Sequence, residues 1–388
     1  MVEKLKRFNW ISFAAMIALT AVGTVAIYSA GHARAEAAFH GTWKAMLSTA
    51  VAGLAVYFTL AFFDYRRYLD WFALPAYAGA IVLLTAVLIF GDTVYGGRRW
   101  LWFFQPSEIS KICVIAFLAW LYGGGVEFKR RRKLGGFLVA AATVGVPAAL
   151  ILMEPDLGTT LTLVPATLLM LLVARVWRRG LLTVFCTAGI AAAAVIGAVY
   201  EAEKPGVSEE RREAILNYVP LKPHQVKRVR VFLFPEEDIH GAGYNLRQAK
   251  ISIGSGGFSG KGFGKGETNH LKYLPPSISM NDFIFCVYAE ETGFIGSIVL
   301  LALFGMLLIP CVWTAYTAAD DCGRLLALGI SALIFAHVFI NIAMSIGIVP
   351  ITGLPLPLIS AGRTFLVTVM AGLGLTQSVA IYGRDIKK

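Results

Sequence analysis

An aspartate lies where a polar segment meets a long hydrophobic one. Asp282 ends the stretch LKYLPPSISMND and is followed at once by Phe283-Ile284-Phe285. A carboxylate can exchange a proton, and an ionisable group at a membrane boundary is expensive enough to indicate a functional role. The alternative is that Asp282 only caps the helix that follows, which is a common use of aspartate.

A pair of opposite charges stands inside a hydrophobic segment. Residues 105–108, Gln-Pro-Ser-Glu, have the pattern of a helix start, because proline is favoured in a first helical turn. Glu108 and Lys111 are three residues apart and share one helix face, so they can pair. They form either a structural ion pair or part of a polar cavity wall within a bundle, since charges that face lipid are expensive.

Three further sites carry isolated charges. Asp156 lies in the turn EPDLG (154–158), where helix capping and catalysis explain it about equally well. Arg98 and Arg99 precede tryptophans and suit interfacial anchoring, with phosphate binding as the second interpretation. We expect Arg363 between one and two turns into the last hydrophobic segment, where a guanidinium needs an anion, a carboxylate or a route to water.

A glycine-rich stretch, GSGGFSGKGFGKG, occupies residues 254–266 and contains seven glycines. It does not match a nucleotide-binding P-loop, because Gly262 follows Lys261 where Ser or Thr is required. Two interpretations remain. The stretch is a flexible hinge, or its backbone amides cradle a phosphate with help from Lys261 and Lys265.

The composition identifies the class of protein. Hydrophobic residues make up 57% of the 388 residues and charged residues 15%, unlike ordinary soluble domains. Ten segments are apolar for long enough to cross the hydrocarbon layer, which takes about 20 helical residues. We place them at 9–30, 41–63, 72–91, 106–122, 136–153, 158–174, 180–200, 282–310, 325–349 and 358–382. The sequence therefore predicts an all-α integral membrane protein with ten transmembrane helices.

The distribution of Lys and Arg gives the orientation. Seventeen basic residues fall on the side that carries both termini, whereas the short loops of the other side carry only Arg34, Lys44, Arg98 and Arg99. Basic residues concentrate on the cytoplasmic side, so we expect both termini in the cytoplasm. The net charge of +11 then reflects topology and contact with anionic membrane lipids rather than binding to nucleic acid.

The chain divides into three parts. Residues 1–200 carry helices 1–7, residues 201–281 form one large extracytoplasmic loop, and residues 282–388 carry helices 8–10 and a short cytoplasmic tail. A loop of that size in a compact bundle is usually functional. Within it, Val226–Phe234 mixes basic and apolar residues, which suits either a segment in the headgroup layer or a solvated charged face.

Five motifs in a fixed order give the chain a resemblance to a known family. They are GGRRWLWFFQPSEISK (96–111), EPDLGTT (154–160), GSGGFSGKG (254–262), NDFIFCVYAEETGFIG (281–296) and TGLPLPLIS (352–360). With the ten spans, they resemble the SEDS family of bacterial cell-wall glycosyltransferases over nearly the whole chain. The loop Ile253–Gly257 favours its RodA branch over its FtsW branch.

The resemblance implies a reaction and a set of site residues. The reaction is the polymerisation of lipid II into β-1,4 glycan at the outer leaflet of the bacterial cytoplasmic membrane during cell-wall elongation, with release of undecaprenyl diphosphate. Asp282 matches the family's essential aspartate and is the candidate base. Glu108, Lys111 and Asp156 match polar positions that line its central cavity.

The same reaction needs positive charge near the departing diphosphate. Charge alone makes Arg99, Lys261 and Lys265 candidate contacts. No cofactor is demanded, although a divalent cation, Mg²⁺ or Mn²⁺, could share the diphosphate charge; no clustered ligand set marks a metal site. The resemblance also implies a partner, a class B penicillin-binding protein, whose transpeptidase would crosslink the glycan.

The sequence departs from the family's pattern at two places. Leu274-Pro275-Pro276 replaces the usual Leu-Pro-Glu, which puts the loop geometry before Asp282 in doubt. Residues 360–364, Ser-Ala-Gly-Arg-Thr, replace the usual Ser-Tyr-Gly-Gly-Ser. Arg363 therefore adds a positive charge near the expected cavity, where it would contact substrate phosphate or neutralise an acid of the bundle.

Two other classes of function stay open. A transporter that flips the lipid-linked precursor would also suit ten spans with charges inside the membrane, although no inverted repeat or pair of broken helices is evident. The second is a non-catalytic scaffold that positions a wall-synthesis partner. A catalytic requirement for Asp282 would separate an enzyme from both.

Overall fold

Apolar helices dominate the fold. The structure, a computed structural model, describes residues 2–32, 40–94, 97–102, 104–125, 133–154, 156–204, 206–219, 221, 223–238, 241–270 and 273–383. Numbered in chain order after the short α1 (Val2–Lys6), the long helices are α2 (Trp10–His32), α3 (Thr42–Phe62), α4 (Tyr65–Phe90), α5 (Pro106–Trp120), α6 (Leu134–Met153), α7 (Leu157–Val173), α8 (Arg178–Ala202), α14 (Ile284–Thr317), α15 (Asp321–Ser345) and α16 (Arg363–Tyr382).

The prediction of an all-α membrane protein is confirmed, and the number of spans agrees closely with ten. Within the described ranges, nine helices are long and apolar enough to cross a membrane, where α5 is counted together with the π-helical residues that continue it to Gly124. The sixth predicted span corresponds to α7, which is apolar but has only 17 residues. At about 1.5 Å per residue it is about 25 Å long, near the lower limit for crossing the hydrocarbon layer.

Two helices begin earlier than predicted because an aspartate caps each of them. The third predicted span starts at 72, but α4 begins at Tyr65, where the Asp64 carboxylate accepts a backbone N–H of the first turn. Likewise, α15 begins at Asp321 rather than 325, with Asp320 accepting a first-turn N–H at 2.6 Å. These first turns carry charges, so hydropathy alone does not assign them to a helix.

Two other differences between the predicted and observed helices lie near prolines: Pro310 in one case, and Pro355 and Pro357 in the other. The predicted eighth span ends at Pro310, but α14 passes through this proline and ends at Thr317. The predicted tenth span starts at 358, yet residues 350–362 are not helical and α16 begins at Arg363. Arg363 is therefore the first residue of its helix, not one to two turns inside it, and its side chain is exposed.

The helices pack around α15 and α16. Helix α16 lies along α3, α15 contacts α7 and α5, and α14 contacts both α2 and α15. The close approach of α16 to α3 depends on Gly374, because a Cβ there would lie 2.6 Å from the carbonyl oxygen of Tyr57. Small residues at helix crossings allow membrane bundles to pack tightly. Helix α8 is the least buried of the nine spans.

The described connections include a small β-hairpin and five short helices. Antiparallel strands β1 (Asp92–Val94) and β2 (Gly97–Trp100) lie between α4 and α5. The long segment after α8 contains α9 (Glu209–Asn217), α10 (Pro223–Leu233), α11 (Ala242–Ser255), α12 (Glu267–His270) and α13 (Pro276–Ser279). This segment folds back onto the bundle, since α10 packs against α8 and α11 packs against α14.

Helix α14 is broken at Gly293, and the glycine-rich stretch supplies hydrogen-bond partners for the peptide groups at the break. Gly293 has φ 68° and ψ −162°, outside helical geometry. The Phe294 N–H donates to the Gly257 carbonyl at 2.9 Å, and the Lys261 N–H donates to the Glu290 carbonyl at 3.0 Å. Peptide groups inside a membrane-spanning helix need such partners because water is not available to them.

The glycines of this stretch are required by the close contact with α14. Gly260 has φ +79°, and a Cβ on it would overlap the carbonyl group of Glu291. The Gly262 N–H donates to that same carbonyl at 3.0 Å. The stretch is thus held against α14 by backbone hydrogen bonds, which does not support the interpretation as a free hinge.

We expect Gly293→Ala to lower the free energy of unfolding by about 1–3 kcal/mol, because a Cβ is strained at this backbone conformation. The added atom would also overlap the backbone of Gly260 and Phe258. Unfolding in detergent micelles measures the loss. Gly305→Ala in the same helix is the control, since a Cβ there meets only Ile309 Cδ1 at 4.0 Å. Equal stability of the two variants would contradict the role given to Gly293.

Candidate active site

Asp282 lies in a turn before α14 that other segments hold in place. The side chain of Asn341, on α15, donates to the Asp282 carbonyl at 2.9 Å and to the Leu354 carbonyl at 2.6 Å. The Ser360 hydroxyl donates to the carbonyl that precedes Asp282, at 2.6 Å. These bonds fix the backbone of the aspartate from two neighbouring segments of the bundle.

The capping interpretation of Asp282 is wrong. Helix α14 starts at Ile284, its flanking residue is Phe283, and no side chain caps it. The Asp282 carboxylate is half-buried, and no described residue donates a hydrogen bond to it. Its backbone is therefore fixed while its carboxylate stays available to a ligand.

Arg228 faces Asp282 from α10, and sequence reasoning missed it as a site residue. Its Nη1 donates to the Thr352 carbonyl at 3.2 Å. The next residue, Gly353, has φ +72°, and a Cβ there would lie 3.4 Å from Asp282 Oδ2. Glycine adopts such a conformation without strain. The guanidinium and the carboxylate thus meet at the same tight turn, and Arg228 is mostly buried rather than on a solvated face.

The environment of Asp282 changes its proton affinity. Burial raises the pKa of Asp282 to about 6, and the positive charges of Arg228 and Arg99 limit the rise. Desolvation lowers the pKa of Arg228, with Arg99 adding to that effect. A carboxyl group with a pKa near 6 is ionised at neutral pH and still basic enough to accept a proton.

Asp156 caps α7, and its charge also reaches the site. Its carboxylate accepts the Thr159 N–H at 3.1 Å and the Thr159 hydroxyl at 2.8 Å. Gln105 Nε2 donates to it at 3.1 Å. The capping interpretation is confirmed. The same carboxylate acts electrostatically on Asp282 and Arg228, so its structural role does not exclude a functional one.

The two arginines before the tryptophans have different surroundings. Arg98 is exposed and donates to the Leu88 carbonyl at 3.3 Å, which holds the hairpin to α4. Arg99 Nε donates to the backbone carbonyl of Glu154 at 3.3 Å. The charge of Arg99 also acts on Asp282. Arg99 therefore belongs to the site, as its phosphate-binding interpretation requires, whereas Arg98 does not.

Three acids and two arginines meet here, and we call them the polar cluster: Asp282, Asp156, Glu154, Arg99 and Arg228. They come from β2, the end of α6, the start of α7, α10 and the turn before α14. Sequence reasoning missed Glu154, although its place in the EPDLG motif was a usable signal. Within the described part of the chain, no three His, Cys, Asp or Glu side chains form a group that could hold a metal ion.

Glu108 and Lys111 form the predicted ion pair, 2.8 Å apart and buried. Lys111 Nζ also lies 2.8 Å from Nε2 of His337, a residue that sequence reasoning missed. The three side chains line a cavity of about 10 Å³, which has room for about one water molecule. Lys111 therefore connects α5 to α15, and the cavity that the pair borders is of water size.

The two lysines of the glycine-rich stretch are not part of the polar cluster. Lys261 Nζ pairs with the buried Glu290 carboxylate at 2.9 Å and with Glu267 at 3.4 Å. Glu290 also accepts the Glu267 N–H at 2.9 Å and the Ser252 hydroxyl at 3.1 Å. Lys265 is exposed. Lys261 thus secures the stretch to α14, and this contact rather than a phosphate accounts for its charge.

Arg363 stands at the edge of the polar cluster. The hydroxyl of the next residue, Thr364, accepts the Gln105 N–H at 3.4 Å, and Gln105 in turn contacts Asp156. Arg363 forms no ion pair with any acid that the structure describes. The structure therefore gives no support to neutralisation of an acid in the bundle, and contact with a phosphate stays a prediction.

We expect Lys261→Met to increase amide hydrogen exchange over residues 256–268 by about tenfold or more. The buried Glu290 carboxylate would lose its cation, and leaving a buried charge unpaired is strongly destabilising. Hydrogen exchange read by mass spectrometry in micelles measures the effect. Lys265→Met is the control, because Lys265 is exposed on the same stretch. Equal protection in both variants would show that the ion pair does not hold the stretch.

Comparison with known proteins identifies the family. The chain matches the FtsW/RodA/SpoVE family, described as "Cell cycle protein", over residues 9–385. It is 34% identical over 353 residues to the peptidoglycan glycosyltransferase MrdB of Escherichia coli strain K12, which covers 90% of this chain and 88% of that protein. It is 33% identical over 401 residues to the probable peptidoglycan glycosyltransferase FtsW of Trichlorobacter lovleyi, with 99% and 98% covered.

The fold agrees with the sequence match. A chain solved in a peptidoglycan synthase complex that coordinates polymerization and crosslinking superposes with a TM-score of 0.74 and 27% identity. The superposition covers 96% of this chain and 97% of that one. The resemblance drawn from the five motifs is thereby confirmed: this chain belongs to the FtsW/RodA/SpoVE family of cell cycle proteins.

Proposed function

We propose that this protein is a peptidoglycan glycosyltransferase that polymerises lipid II into β-1,4 glycan strands. The observation that carries the proposal is the half-buried, unpaired carboxylate of Asp282 beside two arginines at the end of a membrane-spanning bundle. A lipid-linked sugar has its head group in water and its tail in lipid, so a site at a helix boundary suits it. The relatives named peptidoglycan glycosyltransferase support the same conclusion.

In the proposed reaction Asp282 is the general base. The sugar hydroxyl of the acceptor attacks the anomeric carbon of the donor while Asp282 takes the hydroxyl proton. The bond from that carbon to the diphosphate oxygen breaks, and its electron pair leaves with undecaprenyl diphosphate. Attack opposite the leaving group converts an α-linked donor into a β-1,4 product. The backbone bonds from Asn341 and Ser360 support this role by fixing the position of the base.

Arg228 and Arg99 are the residues that we propose for the diphosphate. Arginine offers paired N–H donors that match phosphate oxygens, and fixed positive charge stabilises the charge that develops on a leaving group. Arg363, exposed at the edge of the cluster, is a third candidate. A divalent cation that binds the diphosphate itself also remains a proposal; loss of polymer on chelation, restored by Mg²⁺ or Mn²⁺, would support it.

We place the protein in the bacterial cytoplasmic membrane, with both termini in the cytoplasm and the polar cluster at the outer leaflet. The basic residues of the predicted cytoplasmic side support this orientation. A class B penicillin-binding protein is the proposed partner, and the likeness to a chain of a synthase complex supports it. Relatives named MrdB and FtsW match about equally, so the loop Ile253–Gly257 is what favours elongation over division.

A flippase and a scaffold are the alternatives. The break of α14 at Gly293 is a feature that transporters share, since discontinuous helices build their substrate sites. In this chain the break is filled by the glycine-rich stretch, and the polar cluster is assembled from other segments. The enzyme therefore accounts for more of the observed geometry.

We expect Asp282→Asn to reduce glycan synthesis from labelled lipid II at least about 100-fold, because the amide cannot accept a proton. The purified protein is assayed with and without its partner transpeptidase. Asp321→Asn is the control, since Asp321 is an exposed residue paired with Arg324 at 2.8 Å. The wild-type rate should fall below about pH 6, where Asp282 becomes protonated. Polymer from Asp282→Asn at the wild-type rate would reject this base, and none from wild type with its partner would favour the alternatives.

We expect Arg228→Ala to lower kcat/KM by about 100-fold or more, because one preorganised charge at the leaving group is lost. The control lies on the same helix. Arg230 pairs with Glu203 at 3.2 Å and Glu237 at 3.0 Å, so Arg230→Ala should leave kcat/KM within a few-fold. Equal effects would show that α10 acts only as a structural support.

Unchanged activity in Arg363→Ala would remove Arg363 from the diphosphate site.

A further inference from the structure

We infer that Glu154 is a second catalytic carboxyl group, which gives its proton to the departing diphosphate. This inference rests on the proposed function and deepens it, because it names the acid that complements the base Asp282. The evidence is the position of Glu154 in the polar cluster and the burial of its carboxyl group without a hydrogen-bond partner among the described residues.

The side chain of Glu154 is completely buried, and neither carboxylate oxygen has a hydrogen-bond partner among the described residues. A buried polar group without a partner costs about 1–3 kcal/mol. A buried carboxyl group without a hydrogen-bond partner therefore points to a functional role, and in this proposal its partner is an oxygen of the substrate's diphosphate.

The surroundings of Glu154 favour its neutral, proton-carrying form. Burial raises the pKa of Glu154 to about 8, the Asp156 carboxylate adds to the rise, and Arg99 opposes it. Glu154 also directly follows the last residue of α6, where the helix dipole is negative and disfavours a further negative charge. The charged groups around it are Arg99 from β2 and Asp156 from α7, and Arg228 from α10 acts on both. At neutral pH Glu154 therefore carries a proton.

The two carboxyl groups of the cluster are thus set for opposite tasks. Asp282 is half-buried and faces Arg228 and Arg99, which favour its ionised form. Glu154 is wholly buried, and Arg99 is the one described residue whose charge offsets that of Asp156 there. Two carboxyl groups whose environments separate their proton affinities are the usual arrangement of an acid and a base in one active site.

Arg99 connects Glu154 to the diphosphate. Its Nε donates to the Glu154 backbone carbonyl at 3.3 Å, and its charge also acts on the Glu154 carboxyl group, so we expect an anion bound by this guanidinium to lie near that group. A protonated carboxyl group donates a hydrogen bond to a phosphate oxygen, whereas an ionised one repels it. The neutral state of Glu154 is therefore the one that tolerates the diphosphate.

Each proton that moves in the proposed step has a donor and an acceptor. The acceptor hydroxyl loses its proton to Asp282 as the new carbon–oxygen bond forms. The bond between the donor carbon and the diphosphate breaks, and the diphosphate oxygen that keeps the electron pair takes the proton of Glu154. Asp282 is then protonated and Glu154 ionised. The enzyme is restored when Asp282 releases its proton to water and Glu154 takes one up.

The test is the pH dependence of polymerisation from labelled lipid II, with the partner transpeptidase present. For wild type we expect a rate that rises through about pH 6 as Asp282 ionises and falls above about pH 8 as Glu154 loses its proton. Glu154→Gln should lower the maximum rate about 100-fold and abolish the fall at high pH, because an amide has no proton to lose. Glu201→Gln, at an exposed position, is the assay control and should behave as wild type.

Two further measurements separate the possible failures. Glu154→Asp keeps an acid and should retain the fall at high pH with a smaller loss of rate, which tests the role if Glu154→Gln does not fold. Infrared difference spectra of wild type against Glu154→Gln should show a protonated carboxyl group at pH 7. A wild-type pH profile in Glu154→Gln, or no carboxylic acid signal, overturns the inference. No polymer from wild type at any pH overturns the proposed function instead.

Discussion

The peptide groups at a break in a membrane-spanning helix need hydrogen-bond partners from elsewhere in the protein. This requirement determines how the segments around the site are arranged. At Gly293 the partners come from the glycine-rich stretch, and the Glu290 carboxylate binds Lys261 of that stretch and the N–H of Glu267, the residue that follows it. The chain from these contacts with Glu290 to the start of α14 is short and includes the turn of Asp282. The position of Asp282 is therefore constrained before it by the contacts with Glu290 and after it by α14.

Electrostatics imposes a second constraint, because the polar cluster collects five ionisable groups at the boundary of an apolar bundle. Each group is brought by the end of a helix or strand or by the loop helix α10, so no transmembrane helix carries any of them in its middle. The cluster has nearly balanced charge, with three acids and two arginines. An anionic ligand would add negative charge to the cluster. Among the cluster residues, Glu154 has one arginine that offsets its charge, Arg99, and that arginine also acts on Asp282.

Sequence reasoning reached the apolar helices and the Glu108–Lys111 pair, because apolar length and helical spacing determine these locally. It missed Arg228, since an amphipathic helix does not reveal which of its basic residues faces inward. Lys261 is a candidate phosphate contact from sequence alone because its buried partner, Glu290, lies 29 residues further along the chain. Long-range contacts of this kind decide which charges are free, and local patterns do not contain them.

The length of α7 has a consequence for the bilayer itself. At about 25 Å it is shorter than the hydrocarbon core of about 30 Å, and its first turn belongs to the polar cluster through Asp156. Hydrophobic mismatch of this sign is relieved by local thinning of the membrane around the short helix. The exposed leucines of α7 would then face a thinned part of the bilayer, which would bring the headgroup layer closer to the polar cluster.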